Sequence, residues 1–118
     1  MSRCVLVVDD DPVIRQMIAD LLSLEGYDVV VASDGQVALE RVRERPPDVI
    51  LLDHQMPRLG GRGFIAAYHE LPGPHAPIVL LTAATSAPER AAAVGADAFI
   101  GKPFAVLDLF AMVARYAA

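Results

Sequence analysis

Apolar residues fall along this chain in short unbroken runs, separated by polar, charged and turn-forming stretches. Val49-Ile50-Leu51-Leu52 is the clearest run, closed by Asp53 and then by His54-Gln55-Met56-Pro57, where Pro57 has no amide to give to a central strand. A run with no polar break reads as a strand covered on both faces, the mark of a parallel sheet with helices on either side. Val5-Leu6-Val7-Val8 and Ile78-Val79-Leu80-Leu81 are of the same kind, and Val29-Val30-Val31 and Ala98-Phe99-Ile100-Gly101 complete a set of strands.

Helical spacing fills the intervals. Asp11 suits an N-cap and Pro12 a first helical position, and Ile14, Met17, Ile18, Leu21 and Leu22 then recur on one face, with Arg15 and Asp20 on the other and Gly26 as the stop. Ser33-Asp34-Gly35 opens a second helix, Ala38 and Val42 inward and Glu40, Arg41, Arg43 and Glu44 outward, ended by Pro46-Pro47. Gly60-Gly61-Arg62-Gly63 leads into a third, carrying Phe64, Ile65 and Tyr68 and finishing before Pro72-Gly73-Pro74. Ser86-Ala87-Pro88-Glu89 has the spacing of a capping box and predicts a short alanine-rich helix to Gly95, and a final helix carries Val106, Leu109, Phe110 and Val113. Strand and helix alternate about five times with connections only long enough for crossovers, so the expected fold is α/β, a doubly wound five-stranded parallel sheet with helices on both faces.

Composition narrows the function. A chain of 118 residues that is 54% apolar fits one domain, 1–118, with a real core. No apolar run approaches the roughly 20 residues of a membrane span, and Met1-Ser2-Arg3-Cys4 passes into a strand with no signal-peptide pattern, so the expected location is cytoplasmic, with no membrane contact. Cys4 reads as a buried strand thiol. With 15 acidic against 10 basic residues, a net charge of -5 and no basic stripe, direct binding of nucleic acid is not expected. Partners should be proteins, or small anions together with a metal. A dinucleotide fits badly: the first strand ends in acids, not in glycines, and Gly60, Gly61 and Gly63 miss the GxGxxG spacing.

Asp9 and Asp10, Asp53, Thr82 and Lys102 each follow the apolar run of a different strand. In a parallel sheet those ends share one edge, with neighbouring strands about 4.8 Å apart, so the side chains can meet. Carboxylates gathered there repel unless a cation balances them. Lys102 offsets part of that charge, and a hard divalent ion that keeps positions for water and phosphate, Mg²⁺, suits the rest. Asp53 is then placed as a nucleophile accepting a phosphoryl group, with Lys102 and the Thr82 hydroxyl stabilising its oxygens.

Val8-Asp9-Asp10, Leu52-Asp53-His54-Gln55-Met56-Pro57 with Gly61, Leu81-Thr82-Ala83, and Gly95-Ala96-Asp97 through Phe99 to Lys102-Pro103-Phe104 closely resemble the receiver domains of bacterial two-component response regulators. The resemblance covers nearly the whole chain. It implies the flavodoxin-like strand order 2-1-3-4-5, for which this family's chemotaxis member is a standing example; the order is carried over from the family and not read from the apolar pattern. It further implies Asp53 as phosphoacceptor, Asp10, Asp53 and the backbone carbonyl of Gln55 as metal ligands with Asp9 acting through water, and a sensor histidine kinase or histidine phosphotransfer protein as donor. Thr82 and Phe99 resemble the family's switch pair, which biases the surface made by the fourth and fifth helices and the last strand, where a downstream protein target would bind. The chain would then be no turnover enzyme, but a phosphoacceptor assisting its own phosphorylation and dephosphorylation.

Departures from the pattern are few. The segment from Thr82 to Lys102 is slightly short for the family, and Gln55 and Ala84 stand where dephosphorylation rates vary. His54 beside Asp53 is expected to point away from the pocket, and His69 and His75 are read as lone surface residues without metal-ligand spacing. Rival readings are a metal-dependent phosphatase with an aspartyl nucleophile, disfavoured by Gln55 where a second acid would stand; a pseudo-receiver acting as an interaction module; and a receiver cut from a longer regulator or hybrid kinase.

Overall fold

The structure, a computed structural model, describes residues 3–53, 60–83 and 95–117, and of Ala83 and Lys102 the backbone only. The elements in order are β1 (Cys4–Val8), α1 (Pro12–Leu24), β2 (Asp28–Ala32), α2 (Gly35–Glu44), β3 (Val49–Asp53), α3 (Gly61–Glu70), β4 (Ile78–Ala83), β5 (Ala98–Lys102) and α4 (Val106–Tyr116). All four strand pairings are parallel, in the order β2-β1-β3-β4-β5.

The unbroken apolar runs have a simple cause. Alternate residues of each central strand enter opposite cores, so neither set can be polar. Leu6, Val8, Ile50, Leu52, Ile78 and Leu80 pack with Phe64 and Ile65 under α2 and α3. Val5, Val7, Leu51, Val79, Leu81 and Ile100 pack with Ile18, Leu22, Leu109 and Val113 under α1 and α4. Cys4 is buried in β1, and burial pushes its thiol up, which keeps it protonated and unreactive. No helix among the described residues is long and apolar enough to cross a membrane.

Capping follows the sequence. The Asp11 carboxylate accepts from the amides of Val13 and Ile14 at 2.9 and 3.3 Å, with Pro12 at the first helical position. Gly26, at φ +93°, lets the chain leave α1 in a left-handed turn. Asp11→Ala should cost about 1 kcal/mol in urea denaturation. Asp11→Asn, which retains a capping oxygen, should recover most of it; equal losses in both would show that charge and not the cap is responsible.

Several positions depart from their expected faces. Met17 and Val106 are exposed, Phe110 only half-buried. Arg15 and Arg41 do not simply face water: Arg15 donates to the carbonyl of Asp9 at 3.0 Å and Arg41 to that of Val31 at 3.2 Å. Both are long enough to lie back along the sheet edge. Strand β4 runs through Thr82 to Ala83, and β5 to Lys102, one or two residues beyond their apolar runs. The predicted alanine-rich helix over 86–95 lies almost wholly outside the described residues, as do His54, Gln55 and Ala84.

Candidate functional site

Four strand ends converge at the carboxyl edge of the sheet. Asp9 continues the ladder one residue past β1, its amide donating to the carbonyl of Ala32 at 3.1 Å. Asp53 is the last residue of β3, level with Leu81 of β4, and Thr82 follows one step on, level with Gly101 of β5. Lys102, opposite Ala83, ends β5 at this edge; the position of its ammonium group lies outside the described residues.

The acids do meet. One carboxylate oxygen from each of Asp9, Asp10 and Asp53 lies within 4.8 Å of the others. Asp9 and Asp53 are buried and Asp10 is exposed, so the cluster forms a pit with one open side. Its geometry is held by the backbone: the amide of Asp11 donates to an Asp9 oxygen at 3.0 Å, and the Arg15 guanidinium grips the Asp9 carbonyl. In the sequence Arg15 is legible only as a surface arginine, because polarity along a helix does not report where a long side chain ends.

Such a donor set fits a hard cation. Among the described residues it offers carboxylate oxygens, gathered close enough to share one ion and open to solvent on one side, the arrangement that leaves an octahedral ion room for water and phosphate. Thr82 adds a second mark of an anion site. Its hydroxyl is buried and has no hydrogen-bond partner among the described residues. A donor kept dry without a partner costs about 1–3 kcal/mol. Thr82→Val, which replaces the hydroxyl with a methyl, should therefore raise urea stability by about 1–2 kcal/mol. A loss of stability would mean that the hydroxyl is already satisfied.

Phe99, by contrast, does not sit in the core. It is 37% exposed on the edge strand and, with Phe104, Met112 and Arg115, lines an open groove of about 410 Å³ between β5 and α4.

Comparison with known proteins matches this arrangement. The family model described as the response regulator receiver domain matches residues 5–114. Response regulator MprA of Mycobacterium ulcerans (strain Agy99) is 42% identical over 113 residues, 94% of this chain and 48% of the relative. MprA of Mycobacterium leprae (strain TN) is 41% identical over 111 residues, 92% of this chain and 48% of the relative. The chain thus spans about half the length of the curated relatives it matches. Among solved structures, the chemotaxis response regulator CheY4 of Vibrio cholerae superposes with a TM-score of 0.86 at 35% identity, covering 98% of this chain and 99% of that one. The receiver domain of Francisella response regulator 1452 gives 0.88 at 30% identity, covering 98% and 97%.

Proposed function

This chain belongs to the response regulator receiver domain family, and from that premise we propose that it is a cytoplasmic phosphoacceptor, taking a phosphoryl group onto Asp53 from a phosphohistidine donor. The observation that carries the reading is the meeting of Asp9, Asp10 and Asp53, from two strand ends far apart in sequence, within 4.8 Å. A sensor histidine kinase or a histidine phosphotransfer protein is the donor class.

In the transfer, a carboxylate oxygen of Asp53 attacks phosphorus in line with the P–N bond of the donor. That bond breaks, its electron pair leaves with the imidazole, and an acyl phosphate forms on Asp53. Asp10, Asp53 and the Gln55 carbonyl would hold Mg²⁺, with Asp9 acting through water. An ion held there would supply positive charge to offset that of the phosphoryl oxygens. Lys102 offsets the remaining negative charge, and Thr82 donates its hydroxyl to a phosphoryl oxygen. The chain assists this step and the later hydrolysis of the acyl phosphate, in which water attacks phosphorus and Asp53 leaves as the free carboxylate with release of inorganic phosphate, without turning over an external substrate.

Signal output follows from the same hydroxyl. Drawing Thr82 toward the phosphoryl group vacates space on its face of the sheet, and Phe99 two positions back on the adjoining strand is placed to turn inward. The β5–α4 groove that Phe99 lines would change shape, and a downstream protein would read it there. Lys102→Ala should impair the phosphorylation-dependent change at this groove more than it weakens Mg²⁺ binding. Backbone resonance shifts of Phe99 and Met112 on phosphorylation, set beside an Mg²⁺ titration, measure both; equal loss would contradict the role given to Lys102.

A further inference from the structure

At the opposite edge of the sheet, two histidines that the sequence separates by five residues come together. Helix α3 starts past the carboxyl end of β3 and runs back, so His69 in its last turn and His75 just before β4 lie about a strand's length, roughly 16 Å, from the acids. Their ring centres are 5.5 Å apart, with planes at 66°. The expectation that they are isolated is therefore wrong, and their H-x5-H interval falls at the upper end of zinc-ligand spacings.

The geometry points to a two-histidine chelate for a zinc-class divalent transition-metal ion, formed by His69 and His75 and separate from the acidic pocket. Distance is the first argument. With metal–nitrogen bonds of about 2.0–2.1 Å, two imidazoles on one tetrahedral ion have ring centres about 5.2 Å apart. The observed separation needs only a slightly wider angle.

Preorganisation is the second argument. Nε2 of His75 lies 2.8 Å from the carbonyl oxygen of Leu71. A carbonyl can only accept, so Nε2 carries a proton and, in the neutral ring, Nδ1 keeps its lone pair, the arrangement seen when a backbone carbonyl orients a metal-ligating histidine. The loop bearing His75 is itself tied down. Pro72 and Pro74 flank Gly73 at φ +94°, the Ala76 amide donates to the Tyr68 hydroxyl at 2.8 Å, and the Tyr68 ring packs edge-on against His75 at 5.0 Å. Both imidazoles are nonetheless exposed, so an ion can reach them and water can fill its remaining positions. On the His75 side little ordering is left to oppose binding.

The test is a Zn²⁺ titration of the full chain with Mg²⁺ at saturation, so that the acidic pocket is already filled, following the ring C–H resonances of all three histidines. His69 and His75 should move together on one isotherm at one ion per chain, with His54 still. His69→Ala or His75→Ala should each weaken binding about tenfold or more, since each removes one arm of a chelate. His69→Gln, which retains a polar side chain on α3, should give the same loss with the far-UV spectrum unchanged. Movement of His54 in place of the pair, separate isotherms for the two rings, or unchanged affinity in these variants would overturn the proposal. None of those outcomes bears on phosphorylation of Asp53.

Discussion

Asp53→Asn is expected to abolish phosphorylation outright: with acetyl phosphate and Mg²⁺, the natural chain gains one phosphoryl group by intact mass, and the variant gains none. Of the three clustered acids, Asp10 is exposed and Asp9 is engaged through its carboxylate by the amide of Asp11, whereas Asp53 ends the central strand between β1 and β4. Asp53 is buried at 8% exposure, with a carboxylate oxygen within 4.8 Å of one from each of the other two, so a phosphoryl group placed in line with it is also within reach of any cation they hold. An amide has the same shape and no nucleophilic oxygen. A surviving adduct in the variant would transfer the acceptor role to Asp10 and refute the assignment.

The same variant carries a second expectation of opposite sign. Two buried carboxylates within 4.8 Å of one another repel by roughly 3 kcal/mol at an effective dielectric near 20, before hydrogen bonds and cations offset it. Without Mg²⁺, Asp53→Asn should therefore be more stable than the natural chain by about 1–2 kcal/mol in urea. Loss of transfer together with a gain of stability identifies a functional acid; loss of both would indicate a misfolded variant.

How far the sequence alone reaches can be read from particular residues. Strands buried on both faces must be apolar at every position, so β1, β3 and β4 are visible as unbroken runs, and the polar residue that closes each run is a candidate site residue because the sheet's carboxyl edge is where burial ends. Caps are equally legible: Asp11 and Asp34 act within three residues of themselves. Strand order is not of this kind, since local pattern contains no information on which run pairs with which, and 2-1-3-4-5 comes from the family resemblance.

Side-chain destinations at the margins are harder. Met17 keeps the helical period of Ile18 and Leu22, yet it lies at the border of the apolar stripe, where it faces Pro103 and Phe104 in an open hollow and not the core. Arg15 reaches the Asp9 carbonyl, and His75 reaches His69 only because Gly73 turns the loop back. Such contacts depend on chain reversals, not on period.

Mg²⁺ should stabilise the natural chain more than an Asp10→Asn variant. An ion that binds only the folded state adds about 2.7 kcal/mol when present at a hundred times its dissociation constant, which for a domain of this size is on the order of 10 °C in Tm. The pit has its open side at Asp10, the acid most able to move onto an incoming ion, and buried Asp9 is held in place by the Asp11 amide and the grip of Arg15 on its carbonyl. Replacing Asp10 with Asn leaves two carboxylates and removes one full charge from the cluster, so affinity should fall about tenfold or more. Relief of repulsion acts the other way in the absence of metal, and there the variant should melt no lower than the natural chain. The two melting curves should accordingly cross as Mg²⁺ is raised, the variant ahead at first and the natural chain ahead at saturation. Ca²⁺, also oxygen-seeking, should reproduce part of the shift, while Na⁺ at matched ionic strength should not. Parallel curves for the two proteins, or an equal response to Na⁺, would show that the acids are screened as surface charges and bind no ion.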